Sequence, residues 1–193
     1  MKLGVIIRCY GLTEFLERVI LNYAHCDTIL VANYKFGNFD IKDDTKEIVD
    51  SMDMDNILFL GGDGVKAQAD VFHMAQTPLL DCDVVFISDA DEFLLLPEQD
   101  RCVEILKNNH ISKVECNVID YSKNDATEAF AQRTHMPVVA FKPPVVFSGN
   151  RWCEGESRRV SDMFMHHFGY CIDSYDWKYR NLWYPQYDAD KIT

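Results

Sequence analysis

Basic residues are scarce in this chain, and long apolar runs are missing. The 193 residues include 19 Lys and Arg against 31 Asp and Glu, which gives a formal net charge of −12. Because so acidic a surface repels a phosphate backbone, we expect no broad nucleic-acid binding. No run reaches the roughly 18 apolar residues of a membrane-spanning helix, and the opening residues lack a cleavage site. We therefore expect a cytoplasmic protein without a transmembrane segment, which leaves peripheral contact with a membrane open.

Two motifs with a structural or catalytic meaning are also missing. The seven cysteines are odd in number and include no Cys-x-x-Cys pair, so reduced thiols are expected rather than a disulfide or zinc scaffold. Residues 61–64 read Gly-Gly-Asp-Gly, but no Lys-Ser/Thr follows as it would in a phosphate-binding loop. We interpret them as a turn that ends a strand.

The apolar residues, 48% of the chain, are distributed as short runs that alternate with amphipathic segments. Strands are predicted at residues 3–9, 28–32, 56–60, 83–88, 113–119, 138–142, 145–148 and 163–170. Helices are predicted from a cap at Thr13 and at residues 43–52, 65–75 and 98–108. This alternation predicts an α/β fold, a three-layer sandwich around a mostly parallel sheet that becomes mixed after about residue 120. We expect a single domain over residues 1–193.

The most informative segment is an apolar strand that ends directly in acids. Residues 83–88 are followed by Asp89, Ala90, Asp91 and Glu92. Asp89 and Asp91 would lie on the same side of an extended chain, where two unpaired carboxylates repel each other. A divalent cation such as Mg²⁺ or Mn²⁺ removes that conflict and can hold a diphosphate. A solvated acidic turn that caps the next helix is the alternative.

A pair of histidines, His166 and His167, lies in the last predicted strand. Imidazole is a common ligand for metals such as Mn²⁺. Since adjacent residues of a strand face opposite ways, only one of the two should reach a given site. A hydrogen-bonded histidine within the sheet is the alternative for either.

These segments resemble the GT-A type of nucleotide-sugar glycosyltransferases, in the branch related to family 2. The opening strand with residues 5–10 and the helix from Thr13 is similar to the family's nucleotide-contacting start. Residues 87–93, Ile-Ser-Asp-Ala-Asp-Glu-Phe, resemble its Asp-x-Asp-Glu-Phe segment. Residues 166–170, followed by Lys178, resemble its late histidine–aromatic element. The resemblance implies a GT-A-like fold and a nucleoside-diphosphate-sugar donor, with uridine as its base.

The resemblance also implies roles for individual residues. Asp91 would ligate the cation, Mn²⁺ or Mg²⁺, and His167 would complete the metal site. Asp89 would bind the metal, a metal-bound water or the ribose. Arg8 and Asp27 lie where contacts with the nucleotide are expected.

A cluster of arginines and the candidates for a general base lie late in the chain. Arg151 belongs to the chain's basic cluster with Arg158 and Arg159, and guanidinium groups suit bidentate phosphate contacts. The Glu-Asp pair that supplies the base in many inverting members of that family is missing. Glu154 and Glu156 are the best candidates for the catalytic base, and Asp162 and Asp120 follow. Solvated loop acids and a salt-bridged loop are the alternatives.

Together these observations predict a metal-dependent glycosyltransferase that moves a sugar to an acceptor hydroxyl of a glycan or related molecule. Residues 1–120 would form the nucleotide-sugar-binding half, and residues 121–193 the half that binds the acceptor and completes the metal site. Two alternatives stay open: a catalytically inactive carbohydrate- or nucleotide-binding protein on the same fold, and a sugar nucleotidyltransferase.

Overall fold

The structure is a computed structural model that describes residues 1–9, 11, 13–36, 43–65, 68–121, 129–133, 136–149 and 151–168. The strands are β1 Leu3–Cys9, β2 Thr28–Phe36, β3 Ile57–Val65, β4 Val84–Asp89, β5 Glu92–Leu94, β6 Lys113–Tyr121, β7 Ala129–Arg133, β8 Val138–Phe141, β9 Phe147–Gly149, β10 Trp152–Cys153 and β11 Ser157–His167. The helices are α1 Leu16–Asn22, α2 Thr45–Ser51, α3 Gln68–Gln76 and α4 Leu96–Leu106, with a 3-10 turn at Thr77–Leu79. None of the helices in these ranges is long and apolar enough to cross a bilayer.

The central sheet is mostly parallel, as predicted. Its strand order is β3-β2-β1-β4-β8-β6-β11-β5, and β7 pairs with the C-terminal half of β6. Strands β3, β2, β1 and β4 are mutually parallel, and so are β6 and β11. Because β8 runs antiparallel to both β4 and β6, those two strands point the same way. The carboxyl ends of β1, β4, β6 and β11 therefore share one edge of the sheet, which we call the carboxyl edge.

The apolar side chains of the strands pack into two hydrophobic cores, one on each face of the sheet. Along β1, Val5 and Ile7 pack on the face that α1 and α4 cover, while Ile6 packs on the face of α3. All three side chains are fully buried, as strands covered on both faces require. The predicted three-layer α/β fold is confirmed.

Two local predictions were wrong. Helix α1 begins at Leu16 without a side-chain cap, because Thr13 donates its hydroxyl to Asp44 Oδ1 instead, at 2.6 Å. Strand β3 continues through residues 61–64 to Val65 rather than ending there. A Cβ at Gly61 would lie 2.9 Å from the Phe59 ring and 3.0 Å from the Asn33 carbonyl oxygen, so this glycine permits close strand packing rather than a turn.

The cysteines within the described residues are buried and free of disulfide bonds. Burial raises the pKa of Cys26 and of Cys102 to about 12, which keeps both as uncharged thiols at neutral pH. Cys171 lies outside the described residues.

The backbone conformation of the loop before β11 requires a glycine. Gly155 has a φ of 107°, and a Cβ there would lie 2.8 Å from Ser112 Cβ. We expect Gly155→Ala to lower the free energy of unfolding by about 1–3 kcal/mol, measured by urea denaturation. Gly149→Ala is the control, because its new Cβ would meet only Trp152 Cδ1, at an ordinary 3.6 Å. Equal unfolding free energies for the two variants would contradict this account of the loop.

Candidate active site

Strand register brings three of the predicted site residues, Arg8, Asp89 and His167, to the carboxyl edge. Arg8 pairs with Asp89 across β1 and β4, and His167 pairs with Asp120 across β11 and β6. On its other side, His167 pairs with Glu92 of β5. The backbone pairing of the strands thus determines which of these side chains are neighbours.

Asp91 and His167 lie next to each other in this arrangement. Asp91 occupies the turn between β4 and β5, and its carbonyl accepts a hydrogen bond of 2.8 Å from the Phe168 N–H. Asp91 Oδ2 lies 3.7 Å from His167 Nε2. Asp91 is 4% exposed and His167 8%, so both have lost most of their contact with water.

Asp120 orients the imidazole from behind. Its Oδ1 lies 2.6 Å from His167 Nδ1, and Asp120 is 3% exposed. An ionised carboxylate only accepts hydrogen bonds, so Nδ1 carries a proton and Nε2 is the ring nitrogen on the Asp91 side. This carboxylate–histidine arrangement is typical behind a metal-binding imidazole.

The chemistry of this donor pair fits a divalent cation. The 3.7 Å between Asp91 Oδ2 and His167 Nε2 is longer than a hydrogen bond. It is also shorter than about 4.2 Å, twice a typical metal–ligand distance for Mg²⁺. Among the described residues no cluster of three or more acidic, histidine or cysteine side chains has metal-site geometry. Asp91 and His167 therefore could supply two protein ligands, with further oxygens coming from substrate and water.

Asp89 is held by two arginines in this structure, and its predicted contact with the metal, a metal-bound water or the ribose stays a prediction. Its carboxylate accepts two hydrogen bonds of 2.8 Å from Arg8, one from Nε and one from a terminal nitrogen. A terminal nitrogen of Arg151 lies 3.0 Å from Asp89 Oδ1. The two-residue periodicity that placed Asp89 and Asp91 on one side fails, because β4 ends at Asp89 and the chain turns through Ala90 and Asp91.

Arg151, predicted to contact phosphate, is buried behind Asp89 instead of lying on the surface. Its guanidinium also forms an ion pair with Glu92, whose carboxylate accepts a hydrogen bond of 3.0 Å from the Asp89 N–H. Burial alone would lower the pKa of Arg151, but the charges of Asp89 and Glu92 outweigh it and raise that pKa. Arg151 is therefore a permanently charged partner of these two acids.

The other histidine, His166, faces away from Asp91. Its Nδ1 lies 2.7 Å from the Tyr121 hydroxyl oxygen, and the two rings are stacked. Burial lowers the pKa of His166, and the nearby Glu98 charge opposes this only in part. The neutral ring is thus a structural component of the sheet.

Asp27 lies at the opposite edge of the sheet from the acids of β4. It precedes β2, and its Oδ2 accepts a hydrogen bond of 2.7 Å from the N–H of Leu3, at the start of β1. Arg8 lies five residues further along β1, roughly 16 Å away. The structure therefore does not bring Asp27 to the predicted nucleotide site, because the residue fixes the beginnings of two strands rather than their ends.

Glu154, the predicted base, is exposed and distant from Asp91. The carbonyl of Glu156, two residues later, accepts a hydrogen bond of 2.9 Å from the N–H of Ser112, and Ser112 directly precedes β6. Asp120, beside the candidate metal ligands, lies eight residues along that strand, roughly 26 Å away. The chain leaves the carboxyl edge immediately after Arg151, so closeness in sequence to a site residue did not mean closeness in space.

Sequence reasoning missed Asp43, which anchors the loop after β1. Its carboxylate accepts hydrogen bonds from the Asn33 side chain at 2.7 Å and from the N–H groups of Gly11 and Thr45 at 3.3 and 3.2 Å. Partial burial would raise the pKa of Asp43, but the hydrogen bonds from Thr45 and Asn33 outweigh it and lower that pKa. An aspartate two residues before a helix was the signal in the sequence.

The comparisons with known proteins rest on structure. No protein-family profile and no curated protein matches the sequence. A crystal structure of a mycobacterial protein superposes on 86% of this chain and 67% of its own length, with 11% identity and a TM-score of 0.55. Staphylococcus aureus TarS superposes on 92% of this chain and 38% of its own, with 10% identity and a TM-score of 0.51.

Glucosyl-3-phosphoglycerate synthase from Mycobacterium tuberculosis, crystallised with Mn²⁺, UDP and phosphoglyceric acid, is a further neighbour. It matches 61% of this chain and 43% of its own, with 14% identity and a TM-score of 0.47. The chain thus spans less than half the length of that enzyme. What the chain shares with the mycobacterial protein and with TarS is the fold. Tyr10, Gly169, Tyr170 and Lys178, to which the sequence resemblance extends, lie outside the described residues.

The Asp43 anchor gives a pH-dependent prediction. Because the folded-state pKa of Asp43 is lowered, its charge stabilises the fold above the unfolded pKa of about 3.9, and this is lost as the pH falls through the folded pKa. We expect Asp43→Asn to lower the free energy of unfolding by about 1–2 kcal/mol at pH 7. The loss should shrink below about pH 4, in urea titrations across pH. A loss that stays constant down to pH 2 would contradict this role of the charge.

Proposed function

We propose that this chain is a metal-dependent glycosyltransferase that uses a nucleoside-diphosphate sugar and transfers the sugar to an acceptor hydroxyl. The observation that carries the proposal is the pair of Asp91 and His167, 3.7 Å apart at the carboxyl edge of a GT-A-like sheet. In parallel α/β sheets, ligands bind beyond this edge. The donor's base is uridine by the resemblance of residues 87–93 and 166–170 to the family 2-related branch.

Four residues at the carboxyl edge would have separate roles in binding the cation and the diphosphate. Asp91 and His167 would hold Mn²⁺ or Mg²⁺, which supplies positive charge for the departing diphosphate. Asp120 keeps the proton on Nδ1 of His167 and thereby the lone pair on Nε2. Arg8, in the same edge and partly exposed, adds a fixed positive charge for the donor's phosphates. Burial of Asp91 and Asp120 strengthens all of these interactions, because little water screens them.

The Asp91 carboxylate provides the first test. With Mn²⁺ present, we expect the protein to bind UDP and to hydrolyse at least one UDP-sugar of a panel, measured by calorimetry and by UDP release. Asp91→Asn should abolish the Mn²⁺-dependent part of both signals, because an amide is a far weaker ligand than a carboxylate. Asp50→Asn is the matched control, since Asp50 is exposed on α2 and pairs with Lys46.

Three results of this test have different meanings. Turnover in Asp91→Asn equal to that of the unaltered protein would contradict the role of Asp91. UDP and Mn²⁺ binding without turnover of any UDP-sugar would favour an inactive nucleotide-binding protein on this fold. Release of pyrophosphate from a sugar phosphate and a nucleoside triphosphate would favour a nucleotidyltransferase.

The Asp120–His167 contact provides a second test, on metal binding alone. We expect Asp120→Asn to weaken Mn²⁺ binding about 10- to 100-fold, because the amide no longer fixes the tautomer of His167. The measurement is the free Mn²⁺ signal in an electron paramagnetic resonance titration. Asp162→Asn is the control, because Asp162 is an exposed residue of β11 that pairs with Arg101. Unchanged Mn²⁺ affinity in Asp120→Asn would show that Asp120 does not orient a metal ligand.

A further inference from the structure

A row of alternating charges lies beside the candidate metal ligands and is not explained by metal binding. Arg8 pairs with Asp89, Asp89 with Arg151, and Arg151 with Glu92. We call these four residues the arginine–acid row. Its charges sum to zero, and Arg151 and Glu92 are both about 95% buried as side chains. Buried charges persist in proteins when each has a partner, as each has here.

Arg151 is held in this row at a conformational cost. Its φ is 57°, in the left-handed region that residues other than glycine seldom adopt. Within the described ranges its Nε is buried without a hydrogen-bond partner, and the guanidinium contacts Asp89 and Glu92 through a terminal nitrogen. Strain and an unsatisfied donor at one buried residue are typical of a functional constraint rather than of fold stability.

Asp89 is fixed at both its main chain and its side chain. Its N–H donates to Glu92 Oε2 at 3.0 Å. Its carboxylate accepts hydrogen bonds from Arg8 through both oxygens, and Oδ1 also contacts Arg151. The Ser88 hydroxyl donates to the Glu92 carbonyl at 2.8 Å, which holds the turn of Ala90 and Asp91 closed. Asp89 therefore has one orientation, directed at Arg8.

Arg8 is the exposed end of the row. Both of its hydrogen bonds to Asp89 are 2.8 Å long, and its guanidinium carbon lies 5.5 Å above the centre of the Phe72 ring. A planar guanidinium held by a bidentate carboxylate and an aromatic ring has little freedom to rotate. The Arg8 side chain is 20% exposed, at the carboxyl edge where the first loop begins.

We propose that Arg151 is a positioning residue for donor binding: it holds Asp89, and Asp89 holds Arg8 in a fixed orientation toward the diphosphate. The inference rests on the proposed function. It assigns Asp89 to an arginine rather than to the cation, and it gives the buried Arg151 a role without contact with the substrate. A pre-oriented cation binds a phosphate more tightly than a mobile one, because less conformational entropy is lost on binding.

The test compares Arg151→Lys with the unaltered protein in two separate binding measurements. Lysine keeps the charge but lacks the rigid guanidinium plane on which one terminal nitrogen of Arg151 contacts both Asp89 and Glu92. We expect the dissociation constant for UDP, measured by calorimetry in saturating Mn²⁺, to rise about 10- to 100-fold. The affinity for Mn²⁺ alone should stay within about twofold, because Asp91 and His167 are untouched. For a turned-over donor, KM should rise while kcat stays nearly constant.

Two comparisons separate positioning from a purely structural role. Arg159→Lys is the matched control, because Arg159 also pairs with a buried acid, Glu115, at 2.8 Å but lies near the start of β11. It should leave UDP affinity unchanged. In a double-mutant cycle, Arg8→Lys should cost much less UDP affinity when Arg151 is already lysine, because both substitutions break one row. If Arg151→Lys fails to fold, Glu92→Gln replaces it in the cycle, since Glu92 holds Arg151 from the other side.

The outcomes of the experiment distinguish the inference from the proposed function. Wild-type UDP affinity in Arg151→Lys, or strictly additive effects of the two arginine substitutions, overturns the positioning role and leaves the glycosyltransferase proposal standing. A parallel loss of Mn²⁺ affinity in Arg151→Lys also overturns it, because the row would then support the metal ligands. An unaltered protein that binds Mn²⁺ but no UDP overturns both proposals together.

Discussion

The need to balance four acids that converge at one edge of a sheet governs the whole site. They are Asp89, Asp91, Glu92 and Asp120. Like charges so close together in a medium of low dielectric constant would repel strongly unless positive groups lie between them. Arg8 and Arg151 balance the first and third of these acids, and His167 lies between the other two. The proposed divalent cation beside His167 would complete the balance.

The topology of the sheet creates this convergence. Strand β8 runs antiparallel between β4 and β6, so these two strands end at the same edge although they belong to different parts of the chain. Strand β11 then lies parallel to β6 and brings His167 beside Asp120, while the short β5 returns from the turn that holds Asp91. Residues nearly 80 positions apart thereby share one small volume. A single slip of register along β11 would turn His167 away and bring His166 to the acids.

The sequence predicted the parts of this structure that depend on periodicity and on strand ends. Apolar runs such as Leu3–Cys9 indicated buried strands, and acids directly after one of them indicated the functional edge. Periodicity could not predict where a chain leaves that regular path. Strand alternation does not relate Asp89 to Asp91, because β4 ends at Asp89, and Glu154 lies beyond the turn at Arg151. Long-range pairings, such as that of Arg151 with Asp89, leave no trace in local sequence and require the fold itself.

The most direct test of this division of charge is a crystal structure with Mn²⁺ and UDP, in which anomalous scattering locates the metal. We expect one manganese peak between Asp91 Oδ2 and His167 Nε2, with Asp89 still bound to Arg8 and Arg151. A peak on Asp89, with Arg8 displaced, would contradict the assignment of that acid to the arginines. Side chains of Asp91 and His167 that stay empty at saturating Mn²⁺ would contradict the metal site altogether.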